Sequence, residues 1–81
     1  MVAKQCWTID DVAQWLVQRL RNEGCLSARE AGWEVLDRFG ESFIHPGRGR
    51  PVLNQDVVAR FRRIVGHVEW SARLRLWCLR V

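Results

Sequence analysis

PVLNQDVVARFRRIVGHVEW, residues 51–70, is the stretch on which the rest of the chain depends. Asn54 stands where a helix would begin, and its side-chain oxygen can accept one of the unpaired first-turn N–H groups. Val57, Val58, Phe61, Ile64, Val65 and Val68 then recur at helical spacing and make one continuous apolar face. Arg60, Arg62 and Arg63 occupy the remaining face, and Gly66 supplies a stop. A helix with one apolar side and arginines on the other can both build a core and meet a polyanion. Val68–Trp70 reads as a short strand after it.

Working back from this helix, residues 41–53 lose the helical period. Phe43 and Ile44 read as one extended piece, and Val52 and Leu53 as another. A loop with two prolines and two glycines lies between them, so a small hairpin and an irregular ordered loop both fit. Upstream come two further helix signals. Thr8 with Asp11 has the spacing of a capping box, Trp7 can pack on Val12 as a staple, and Gly24 ends the segment. Ile9, Val12, Ala13, Leu16 and Leu20 share its inner face, with Trp15 to one side. Ser27 with Glu30 repeats the capping pattern and Gly40 closes the second helix. Its inner face is Ala28, Ala31, Val35, Leu36 and Phe39, and Trp33 points away. The link between these helices is short enough to make them neighbours.

The tail supports two periods. Trp70, Leu74, Trp77 and Val81 have helical spacing, whereas Arg73, Leu74, Arg75 and Leu76 alternate as on a strand. The hairpin is the preferred reading: Val68–Trp70, a turn at Ser71–Arg73, then Leu74–Arg80. The expected architecture is therefore a single α+β domain over residues 1–81. It has three helices, a short strand or loop before the third, and a C-terminal β-hairpin. This order is winged-helix-like, with the usual small strand expected between the second and third helices.

The chain resembles a family of small uncharacterised bacterial proteins with a winged-helix-like fold. The residues that carry the likeness are Asp11-Val12-Ala13-Gln14-Trp15, Arg38-Phe39-Gly40-Glu41-Ser42-Phe43, Val58-Ala59-Arg60-Phe61-Arg62-Arg63, Val68-Glu69-Trp70 and Trp77. They cover most of the chain but are mainly core and capping positions. The resemblance implies a fold and no activity; such short genes also occur as mobile cassettes. Relatives of this type tend to have an asparagine-glycine turn where this chain has Arg48-Gly49-Arg50.

Charge is divided unevenly along the chain. Residues 1–42 hold five basic residues against seven acids, and residues 43–81 hold eight arginines against two acids. Twelve of the thirteen basic residues are arginine, whose planar fork suits bidentate contact with phosphate. A basic half points to a polyanion or an acidic partner surface; the alternative is pairing of opposite charges between copies. Arg48-Gly49-Arg50-Pro51 resembles the core of an AT-hook, in which glycine lets the backbone sit deep in the minor groove. Arg60, Arg62 and Arg63 would lie on a recognition helix, and Arg73, Arg75 and Arg80 on a wing. The candidate nucleic-acid contacts are thus Arg48, Arg50, Arg60, Arg62, Arg63, Arg73 and Arg75. DNA is the first partner this pattern suggests. The competing reading is a protein-interaction or homodimerisation module that uses no nucleic acid, with Trp15 and Trp33 as interface anchors; Trp70 and Trp77 are assigned to the core.

Catalysis finds little support. His45 precedes Pro46 in a loop, His67 follows a helix stop, and neither has a nucleophile tied to it. Asp10 and Asp11 complement the first-turn dipole. No phosphate-binding loop is present, and neither metal nor cofactor is expected. Cys6, Cys25 and Cys78 are odd in number and scattered, which predicts thiols rather than a disulfide framework or zinc site. No apolar run approaches the roughly 20 residues of a membrane span, and Asp10 and Asp11 interrupt any leader-like segment. The expected location is the cytoplasm.

Overall fold

In the computed structural model, which describes residues 7–46, 49 and 51–79, the three expected helices form. Helix α1 spans Ile9–Glu23. Its capping box is complete: Thr8 N donates to Asp11 Oδ2 at 2.9 Å, and Asp11 N donates to Thr8 Oγ1 at 3.1 Å. Val12, Ala13, Leu16, Val17 and Leu20 are buried along its inner face. Ile9, expected on that stripe, is 37% exposed at the first turn.

Strand β1, Cys25–Ser27, follows at once. The sequence did not suggest a strand between the first and second helices; the one expected between the second and third forms as well, in the ladder that precedes the third helix. Ser27 ends β1 and caps α2 (Ala28–Phe39) by accepting from Glu30 N at 3.3 Å. Buried Ala31, Gly32 and Val35 make the inner face of α2. A short 3-10 turn, Glu41–Phe43, leads into β2 (Ile44–Pro46), which pairs antiparallel with β3 (Pro51–Leu53). The open choice between hairpin and irregular loop resolves as this two-stranded ladder, with Ile44 opposite Leu53.

The ladder docks on α2, and Gly32 is the reason it can come so close. A Cβ at Gly32 would lie 2.5 Å from the Pro51 carbonyl oxygen, inside any real contact distance. Helix α3 then runs Gln55–Val65, with Asn54 Oδ1 accepting from Asp56 N at 3.1 Å. Val57 and Phe61 are fully buried, and Val58, Ile64, Val65 and Val68 pack around them.

The C-terminal hairpin consists of β4 (Val68–Ser71) and β5 (Leu76–Leu79). Its turn is Ala72–Arg75, starting one residue and ending two residues later than expected, and Arg75 takes a left-handed φ of 54°. The Arg75 carbonyl accepts from Ala28 N at 2.9 Å, which ties the turn to the start of α2. Strand β5 is central, giving the order β1-β5-β4.

The core gathers Val12, Leu16 and Leu20 of α1, Val35 of α2, Val57 and Phe61 of α3, and Leu26 and Trp77 of the sheet. The main partner of α1 is α3. The first two helices do meet, as their short link implied, through Trp15 on Phe39 and Arg19 on Glu34. No helix among the described residues is long and apolar enough to cross a membrane.

Candidate functional site

Helix α3 positions the central arginines. At about 100° per residue, Arg60 and Arg63 lie roughly 60° apart around the helix, while Arg62 falls roughly 160° from Arg60. Arg60 and Arg63 accordingly line one open depression with Asp56, Ala59 and Ile9, between α3 and the first turn of α1. The exposure of Ile9 is explained here: its side chain forms part of this wall instead of reaching the core.

All three α3 arginines are exposed. Among the described residues both ion pairs belong to Arg19, which leaves Arg60, Arg62 and Arg63 without a carboxylate partner in that set. Asp56 puts one acid at the end of the depression, two turns from Arg63 and one from Arg60. An incoming anion is therefore best placed toward Arg63.

The other candidate cations among the described residues, Arg62, Arg73 and Arg75, do not line this depression. Arg75 lines a separate apolar groove with Ala28, Val52, Leu53, Val58, Trp70 and Trp77, on the opposite flank of α3. Arg73 is exposed in the hairpin turn. Arg48, Arg50 and Arg80 lie outside the described residues; Gly49 has a φ of 74°, a conformation that suits glycine in a turn.

The tryptophans divide as well. Trp15 is half-buried, packed edge-on to Phe39 at 5.6 Å, with the guanidinium groups of Arg19 and Arg38 5.6 and 5.2 Å from its ring centre. Cation–π attraction holds both arginines there. Arg19 also spans the first two helices, 3.0 Å from Glu23 and 2.8 Å from Glu34; its Nε approaches Glu23 without hydrogen-bond alignment. Trp33 is 51% exposed, in a depression shared with Arg19, Glu30 and Glu34. Trp77 is buried as expected, but Trp70 is 44% exposed and leans on Trp77 at 4.7 Å. As a residue of the edge strand β4, it has sheet on one side only.

Cys25 and Cys78 are joined by a disulfide, contrary to the expectation of free thiols. Their separation of 53 residues gave no local signal. Only the register of β1 on β5, which sets Cys25 opposite Cys78, brings them together. Cys6 lies outside the described residues.

The chain belongs to a family of unknown function (DUF6953), whose model matches residues 8–79, from the cap of α1 to the last residue of β5. No curated protein and no solved structure matches it.

Proposed function

We propose that this member of a family without an assigned activity binds DNA or another polyanion through α3, as a non-enzymatic domain. The observation that carries the reading is the pair Arg60 and Arg63, exposed in one depression with no carboxylate partner among the described residues. Guanidinium groups left unpaired on a helix face form charge-assisted, bidentate contacts with phosphate when one arrives. Arg62, Arg73 and Arg75 extend the positive field on other sides, and Arg48 and Arg50 belong to the same proposal as minor-groove or backbone contacts.

The element order is compatible with a winged-helix-like arrangement, in which α3 faces the groove and the β4–β5 turn serves as the wing. A cytoplasmic, bacterial, cassette-borne and dimeric protein completes this reading. The test is fluorescence anisotropy of a labelled duplex at low salt. Wild type should bind, and Arg60→Ala with Arg63→Ala should weaken binding about tenfold or more, as expected for two lost charge-assisted contacts. Binding of heparin but not duplex would leave a polyanion other than DNA. Failure to bind either would overturn the proposal.

A second reading, a protein-interaction or homodimerisation module, has its own observation in Trp33. An indole 51% exposed beside Glu30 and Glu34 is a suitable interface anchor. Trp15 is the weaker half of that pair, since two guanidinium groups already cover its ring. Light scattering should then show a dimer whose mass falls to the monomer value in Trp33→Ala. A monomeric wild type, or an unchanged dimer in the variant, counts against Trp33 as the contact.

A further inference from the structure

We propose that Cys25 and Cys78 form a reversible dithiol–disulfide couple whose oxidant is a low-molecular-weight disulfide, with Cys25 attacking and Cys78 resolving. This is independent of polyanion binding by α3. Leu79 N donates to the Gly24 carbonyl and Ala28 N to the Arg75 carbonyl, both at 2.9 Å. These bonds flank the β1–β5 ladder and make Cys25 and Cys78 a non-hydrogen-bonded pair, the kind whose Cα atoms lie closest. Their Cα–Cα distance is 4.1 Å.

The opposition of the two cysteines does not depend on the covalent bond. Leu26 and Trp77, the next pair along the ladder, are both buried and hold the register by packing. With the bond reduced, the two thiols remain face to face, so closure is an intramolecular step at high effective concentration.

Access separates the roles. Cys25 is exposed on β1, an edge strand, whereas Cys78 is half-buried in the central strand β5. In the forward direction, Cys25 loses its proton to solvent and its thiolate attacks one sulfur of the small disulfide. A mixed disulfide forms on Cys25 and one small thiolate leaves. Cys78, deprotonated in turn, attacks the Cys25 sulfur, closes the protein disulfide and expels the second small thiolate. Two electrons pass to the oxidant, and the two protons end on the two released thiols. Excess small thiol reverses both steps.

The experiment uses the full chain with Cys6→Ser, reduced, freed of reductant and mixed with oxidised glutathione. Intact mass should fall by two hydrogens with no glutathione retained, and added reduced glutathione should restore it. Near-ultraviolet circular dichroism of the tryptophans should be preserved in the reduced form. With Cys78→Ser, glutathione should remain on Cys25; with Cys25→Ser, the adduct on Cys78 should form at least tenfold more slowly. Acid quenching of the Cys6→Ser protein during oxidation, followed by peptide mapping, locates the mixed disulfide without either further variant and should find it on Cys25. A mixed disulfide mainly on Cys78, glutathione that stays bound with both cysteines present, or loss of the tryptophan signal on reduction would each overturn the proposal.

Discussion

Gly32 shows how one residue can carry a tertiary contact with no side chain. Its missing Cβ leaves room for the Pro51 carbonyl, and so for β3 against α2. Gly32→Ala should improve helix propensity by about 1 kcal/mol. The added methyl must also displace backbone at Pro51, which puts the overpacking cost in the upper part of the usual range, about 2–3 kcal/mol. The cost should win, and urea unfolding should show a net loss of about 1–2 kcal/mol; a variant as stable as wild type would mean that β3 docks less closely. Residues of this kind were the hardest to read in the sequence, because the need for glycine comes from Pro51 in another element. Thr8, Asp11 and Asn54 were legible for the opposite reason: each cap is completed within three residues of itself.

Among the elements, the helices and the approximate places of β2, β3 and β4 were legible, whereas β1 and the start of β5 were not. Each helix combines an end signal with an apolar stripe several turns long, so its own sequence determines it. Strand β1 has three residues and no period to detect; it exists because β5 lies beside it. The turn of the C-terminal hairpin was misplaced because Arg73, Leu74, Arg75 and Leu76 alternate through a segment that in fact turns. Its end is fixed by a backbone bond to Ala28, far away in sequence. The Cys25–Cys78 link was hidden for the same reason. Its worth can be estimated from the 53-residue separation, which in the chain-entropy account gives roughly 4 kcal/mol. Reduction should therefore lower Tm by on the order of 10–30 °C. A Tm that does not move in calorimetry with and without reductant would show that the bond adds nothing to the stability of the fold.

At the scale of the whole molecule, the charge asymmetry of the sequence becomes a distribution over several surfaces. The acids and arginine of the first half are partly used within the fold, as Arg19 shows by joining Glu23 and Glu34. Among the described residues, every arginine of the second half is without a carboxylate partner, but Arg60 and Arg63 face one flank of α3 and Arg75 the other. Sequence spacing alone indicated which arginines share a helix. It could not place Ile9 beside Arg60 and Arg63, or Arg75 beside Trp70, because those neighbours depend on how α1 and the hairpin pack. Among the described residues the candidate site is thus narrower than the sequence implied, with two arginines at its centre. The most direct measurement is the slope of log affinity against log salt for duplex binding, in wild type and in Arg60→Ala with Arg63→Ala. Counterion release predicts a steep negative slope in wild type that becomes shallower by roughly 2 units in the double variant. A wild-type affinity indifferent to salt, or a slope unchanged by the two substitutions, would contradict the account.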